Sequence, residues 1–304
     1  MYFVRRLLAL PLLVLLISAL AFLLVRLAPG GPFDRERKPA SPEIERALLA
    51  RYHLDEPVWK QYLRFLGGLA RGDFGASLKY RNHSVADIIL QGLPVSLVLG
   101  CLAFGLAMGL GIPAGFYGAL LRGHWREHGL SFLTLLAVCV PGFVVGPILV
   151  MWLAVRWEWF PPALWESPRH VVLPTVSLGL YFAGRVARLF REGLSQTLEC
   201  DFIRAARAKG LSETAVLLRH GVRLAILPVV SYAGPMLADL LTGSFVVENL
   251  FQIPGIGVFL VNSSLSRDYP MVVGLVLLYA LLLLVLNLLV DLAYSVLDPR
   301  VRFD

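Results

Sequence analysis

Six runs of apolar residues dominate the chain, at about 7–27, 95–121, 130–155, 171–190, 224–247 and 271–297. At about 1.5 Å of rise per helical residue, each is long enough to cross roughly 30 Å of hydrocarbon. The pattern predicts an all-α integral membrane protein of six transmembrane helices. The fourth run is the weakest, because Arg185 and Arg188 lie in its last turns. The first begins like a cleavable signal peptide, with Arg5 and Arg6 ahead of a leucine-rich stretch and Ala19-Leu20-Ala21. The apolar run nevertheless continues through Phe22, Leu23, Leu24 and Val25, so an uncleaved span is expected.

Between the first two runs lies a segment, residues 28–92, of ordinary soluble composition. It opens on Ala28-Pro-Gly-Gly-Pro-Phe33, then shows helical patterning near Glu43–Tyr52 and Glu56–Leu69. Gly72, Gly75 and the polar tip Lys79–His83 read as loop. The expected division is therefore an N-terminal part, 1–94, made of the first helix plus this folded segment, and a five-helix core, 95–304. The segment is far longer than a connection requires, which suits a docking surface for an external partner, although a solvated loop has the same composition. Its aromatic residues Tyr52, Trp59, Tyr62, Phe65 and Phe74 argue for folding, whether they form a small core or rest at the lipid interface.

Composition agrees with the pattern. The 304 residues are 57% hydrophobic and 16% charged, against about 45–50% and about 25% in soluble domains. A disordered chain and a water-soluble globule are both excluded. The net charge of +7 would suggest nucleic acid in a soluble protein, but in a membrane protein the positive-inside rule accounts for much of it. The segments 1–6, 122–129, 185–223 and 298–304 hold fourteen of the 28 Lys and Arg, whereas the short loops near 156–170 and 248–270 hold only Arg156, Arg169 and Arg267. Both termini are accordingly expected in the cytoplasm, with the 28–92 segment outside. Cys101, Cys139 and Cys200 are too scattered for a disulfide framework or a zinc site.

The spans carry their own signals. Gly105-x-x-x-Gly109 and Gly111-x-x-x-Gly115 in the second allow close helix packing. Pro141-Gly142 and Gly146-Pro147 in the third predict a kink or a break, which suits a helix lining a pathway but also occurs in plain packing. A charge at membrane depth costs roughly 2.5–3.5 kcal/mol, so Asp239 in the fifth span calls for an explanation. It either faces a translocation route or pairs with an Arg of a neighbouring helix. Asn287 and Asp291 are expected to pack or to pair with Arg185 or Arg188.

The loop at about 192–222 is the most informative stretch. Helix formers from Asp201 through Lys209 end at Gly210, a C-cap signal, and Ser212-Glu213 opens a second helix. The pattern predicts two short helices and a tight turn outside the membrane. Arg204 and Arg207 fall on one face of the first, with Phe202 and Ala206 on a neighbouring apolar face. Such a knob fits a groove on another protein. A DNA-binding helix-turn-helix would be confined by the flanking spans, and a mere connector is the remaining reading.

The stretch Asp201-Phe-Ile-Arg-Ala-Ala-Arg-Ala-Lys-Gly-Leu211, followed by Arg219-His220 and Leu227-Pro228, resembles the cytoplasmic EAA loop of ATP-binding-cassette importer permeases, best their peptide branch. Arg26–Phe33, Gly72-Asp-Phe-Gly75, Val247-Glu-Asn-Leu-Phe251, Pro254-Gly-Ile-Gly257, Arg267-Asp-Tyr-Pro270 and Leu297–Arg302 extend the resemblance from end to end. Arg204 stands where the wider superfamily has Glu, and Pro228 lies farther from Gly210 than the general pattern. The resemblance implies a type I importer permease fold and a multi-pass protein of the bacterial inner membrane. It also implies a second homologous permease, two cytosolic ATPases, an external substrate-binding protein, and short peptides as cargo, with nickel or another small solute as the alternative. By position it implicates Arg204, Ala205, Ala206, Arg207, Gly210 and Leu211 in docking to the ATPase.

No Gly-x-x-x-x-Gly-Lys-Ser/Thr occurs, so the chain carries no recognisable phosphate loop of its own. No cofactor is expected. His124-Trp-Arg-Glu-His128 matches an inverted zinc-peptidase pattern, but it lies in a short basic turn without an evident third ligand. No histidine lies inside a predicted span, which removes an intramembrane serine protease. A transport subunit, not an enzyme, is the expectation.

Overall fold

The computed structural model describes residues 2–27, 50, 53–80 and 82–297. Its long helices are α1 (Tyr2–Leu27), α3 (Val85–Leu120), α6 (Val172–Leu198), α10 (Leu227–Leu250) and α12 (Tyr269–Leu297). Shorter ones are α2 (Val58–Leu69), α4 (Trp125–Cys139), α5 (Gly142–Leu149), α7 (Asp201–Ala208), α8 (Glu213–Ala215), α9 (Val222–Ala225) and α11 (Ile256–Ser266). Among the described residues, five helices are long and apolar enough to cross a membrane, and the bent pair Trp125–Cys139 and Gly142–Arg156, counted as one span, makes a sixth. The all-α membrane architecture is thus the expected one.

The third span is broken, not merely kinked. Its axis turns through 102° between Cys139 and Gly142. Pro141 has no N–H to donate and pushes the residue before it out of the helical region. Val140 is accordingly extended, at φ −93° and ψ 114°, and Pro141 follows at φ −60° and ψ 144°. After Pro147 the backbone widens into a π-helix over Val150–Arg156.

Two helices begin earlier or run longer than their apolar runs. Helix α3 starts at Val85 because Ser84 and Asp87 form a reciprocal cap. The Asp87 amide donates to Ser84 Oγ at 3.1 Å, and the Ser84 amide donates to Asp87 Oδ2 at 3.2 Å. Helix α6 extends to Leu198, with Arg185 and Arg188 on its exposed side. In α10, Pro228 sits in the first turn, where its missing N–H costs nothing.

The chain forms two compact units, 1–96 with 254–284, and 97–253 with 285–304. In the first, α2 lies along α1. Ser18 Oγ and Tyr62 Oη are 2.9 Å apart, Phe22 meets Tyr62 and Phe65, and Arg26 donates to Gln61 Oε1. Tyr62, Phe65 and Phe74 therefore serve the unit's own packing, while Trp59 stays exposed. Tyr52 and nearly all of the helix expected at Glu43–Tyr52 lie outside the described residues. A core of Val85, Ile88, Ile89, Ile256, Met271 and Leu275 joins α3, α11 and α12. The first amide of α11, Ile256 N–H, donates to Ser96 Oγ at 2.9 Å.

The second unit is organised on α6. Its apolar window is 61% buried, against 17% in α1, although α6 is the less apolar of the two. Protein, not lipid, surrounds it. A Cβ on Gly111 of α3 would lie 2.8 Å from the Ala183 carbonyl oxygen, and one on Gly115 would overlap the Ala187 oxygen. That glycine pair brings α3 backbone-close to α6, as expected. The pair Gly105–Gly109 is exposed and meets nothing within 4 Å.

Candidate coupling site

Helix α7 is built almost entirely from its own neighbourhood. Cys200 is its N-cap, and Asp201 in the first turn complements the positive helix end. At the other end Gly210 takes φ +78°, the left-handed conformation that suits glycine. The Gly210 amide donates to the Arg207 oxygen at 2.9 Å, and the Leu211 amide to the Ala206 oxygen at 3.4 Å. These two bonds form a Schellman cap and satisfy two carbonyls that the helix end would strand. Ser212 then caps α8, accepting from the Ala215 amide at 3.4 Å. A π-helical turn, Val216–Gly221, carries the chain through α9 into α10.

The turn has a small core of Ile203, Ala206 and Val216, with Leu198 packed against it. Ala206 thus faces inward, at 7% exposure, and not outward beside Phe202 as expected. The reason is tertiary: Val216 approaches from the second helix and covers the Ile203–Ala206 stripe. Phe202, Arg204, Ala205, Arg207, Gly210 and Leu211 are exposed. Arg204 reaches Asp201 at 3.3 Å. Arg207 grips Glu213 with two bonds, Nε to Oε1 at 2.8 Å and Nη2 to Oε2 at 3.1 Å, and so staples the two helices across the turn. Leu218 adds an exposed apolar side chain that the sequence pattern did not single out. The result is a rigid apolar and cationic knob.

The expected pathway residues are placed separately from the knob. At the break, Pro141 is exposed and Gly142 lies against α6. Ser177 Oγ donates to the Gly142 oxygen at 2.6 Å, and a Cβ on Gly142 would lie 2.8 Å from the Ser177 oxygen. Gly142 is thereby explained by close packing. Asp239 is on the exposed face of α10, two turns beyond Tyr232. Arg185 stacks on Tyr181 and Tyr232 and donates to Tyr232 Oη at 3.1 Å. Helix α5 touches α10 where Gly146 meets Leu250; at 1.5 Å per residue this is about 16 Å along the helix from Asp239. Asn287 is half-buried, and the Asp291 side chain lies outside the described residues.

Two acidic groups matter more than the sequence suggested. Glu248 is fully buried near the end of α10 and accepts from Ser244 Oγ at 2.7 Å. Asp268, also fully buried, accepts from Ser77 Oγ, from the Lys79 amide at 3.2 Å and from the Met271 amide at 3.3 Å. Each sits in a motif noted above, and for Glu248 the available signal was an acid following the apolar Phe245-Val246-Val247. Glu127 of the zinc-like pattern is engaged by Arg191 and the Gly123 amide, not turned toward its histidines.

Comparison with known proteins bears on the family and the fold. Residues 111–303 match the family of binding-protein-dependent transport system inner membrane components. The chain is 41% identical over 303 residues to the oligopeptide transport system permease protein OppB of Haemophilus influenzae, covering 99% of this chain and 98% of that one. It is 38% identical to the dipeptide transport system permease protein DppB of Bacillus subtilis, covering 99% and 97%. It is 41% identical to OppB of Escherichia coli K12, covering 97% and 96%. Two structures of the MetNI methionine ABC transporter in inward-facing conformations share the fold, with TM-scores of 0.56 and 0.59 at 15% and 16% identity. Each match covers 69% of this chain and 96% of the other. By its apolar helices, its loop and these matches, the chain belongs to the binding-protein-dependent transport system inner membrane components.

Proposed function

We propose that the chain is one permease subunit of an importer of short peptides, driven by ATP hydrolysis in separate cytosolic subunits. The observation that carries this reading is the self-capped knob at α7, exposed on a chain with no phosphate loop. The names of its oligopeptide and dipeptide permease relatives favour peptides as cargo. On this reading the α7 side of the membrane and both termini are cytoplasmic. The exposed Phe202, Arg204, Ala205, Arg207, Gly210 and Leu211 meet a groove on an ATPase. A second, homologous permease completes the pathway, with a second ATPase beneath it, and an external binding protein docks on the 29–92 segment.

The mechanics follow from how α7 is attached. Only Glu199 and Cys200 separate it from α6, the helix on which the second unit is organised. Displacing a knob that keeps its own shape therefore displaces α6 and the backbones packed against its glycines. A knob held by distant contacts would deform instead. Pro141 and Gly142 supply a broken wall, and Asp239 an anionic group for a cationic peptide amino terminus. Selection among peptides lies with the external binding protein.

The test is uptake of labelled di-, tri- and pentapeptides and of nickel by cells lacking the gene, with the purified tagged chain checked for its companions. Peptide uptake restored by the wild-type gene, with ATPases and a second permease recovered, is expected. Nickel uptake lost in the deletion with peptide uptake intact overturns the choice of cargo.

A further inference from the structure

Two arginines connect the foot of α6 to the turn between α3 and α4. That turn closes on Gly123, at φ +85°, with the His124 amide donating to the Leu121 oxygen at 2.9 Å. Glu127, in the first turn of α4, has a side chain only 12% exposed. Its Oε2 accepts from the Gly123 amide at 2.6 Å, and its Oε1 accepts from Arg191 Nη2. Arg191 Nη1 also donates to Ser131 Oγ at 2.9 Å, and the arginine stem passes over Gly118, where a Cβ would lie 3.1 Å from its Cδ. One guanidinium of α6 thus holds the end of α3, the turn and α4 together.

The second connection differs in kind. Arg122 Nη1 donates to Glu199 Oε1 at 2.6 Å, and the two side chains are 60% and 66% exposed. Glu199 is the C-cap of α6 and stands one residue before the N-cap of α7. This pair borders a recess of about 340 Å³ that Arg188, Glu192, Ser195 and Gln196 also line. A screened pair at the edge of a recess can break and re-form, whereas the sheltered Glu127–Arg191 pair is held by several partners at once.

We infer that Glu127–Arg191 and Arg122–Glu199 form a positioning strap that carries displacement of α7 into α3 and α4. The inference rests on reading α7 as the element the ATPase moves. Without the strap, α7 has a covalent hold on α6 alone at its near end. With it, the foot of α3 and the start of α4 move with the loop. Arg122 and Glu199 contribute through the turn they join and contact no cargo in this scheme.

The test uses the full importer reconstituted in vesicles with its binding protein, reading peptide moved per ATP hydrolysed, basal ATPase and recovery of the complex. Arg122→Glu and Glu199→Arg are made singly and together, alongside Gly210→Val. Each single reversal should lower peptide moved per ATP by about two- to fivefold, the range open to an exposed pair, with complex recovery and basal turnover kept. The double reversal should restore the ratio. Singles at the wild-type ratio, or a double no better than either single, overturn the strap. Because Glu127→Gln could impair insertion, the exposed pair carries the test. Normal transport by Gly210→Val would overturn the coupling reading itself, a result separable from failure of the strap.

Discussion

The loop 72–84 and the loop 201–221 both connect helices, yet they are held by opposite means. The first is fastened from a distance: Ser77 Oγ and the Lys79 amide bond to Asp268, about 190 positions along the chain, and Ala76 pairs with Ser84 in one antiparallel bridge. The second is fastened by its neighbours, through the Gly210 cap, the Ser212 cap, the Arg207–Glu213 staple and the Ile203–Ala206–Val216 core. A loop tied across the chain stays where its unit puts it. A loop satisfied within itself can be moved as one piece, which is what a force-transmitting element requires.

The largest expected effect strikes the distant fastening. Asp268→Ala removes the acceptor of the Ser77 hydroxyl and of the α12 amide of Met271, and one of two acceptors of the Lys79 amide, and should cost about 2–4 kcal/mol. Thermal unfolding of the detergent-purified protein and protease cleavage within 72–84 would measure it. Stability unchanged would mean that the loop is not held by Asp268. Gly210→Val comes next, at about 1–2 kcal/mol for a β-branched residue forced left-handed, with transport abolished and the chain still inserted. Gly210→Asn sharpens this, because asparagine tolerates that conformation and should keep most of the transport.

An effect of similar size separates inward from outward residues in the second loop. Ala206→Leu should cost about 1–3 kcal/mol by overpacking against Val216, whereas Ala205→Asp should leave stability unchanged and weaken recovery of the ATPase. Equal stability losses at the two positions would erase the distinction between core and docking face. The smallest effect belongs to the staple. Arg207→Met should lower stability by about 0.2–1 kcal/mol, as for other exposed pairs, and its loss should be shared, not doubled, when Glu213→Gln is added.

The sequence was most legible where a residue type forces a local geometry. Pro141-Gly142 predicted a kink or a break because a proline excludes helical backbone before it, and Gly210 predicted a cap because glycine ending a run of helix formers takes a positive φ, as it does here. Ser84-x-x-Asp87 carried a readable capping signal for α3 that the apolar pattern obscured. Glycine spacing was ambiguous. Gly111 and Gly115 meet α6, whereas Gly105 and Gly109, at the same spacing, lie on the other face of α3. Spacing states that a helix has a smooth face and leaves its neighbour unnamed. The inward turn of Ala206 and the burial of Asp268 were illegible for the same reason, since Val216 and Ser77 are what decide them.

The amino-acid sequence by itself determined the membrane class, six apolar segments, a kinked or broken third span, the capped turn and the family, because apolar length, proline, glycine and short motifs act within a few residues. Only the tertiary structure decided which face of each helix is covered, that the least apolar long helix is the most buried, and that Glu127 serves Arg191 in place of a metal pattern. Those outcomes depend on partners far apart in the chain. Burial and ion pairing are properties of a neighbourhood, and the neighbourhood exists only once the helices have packed.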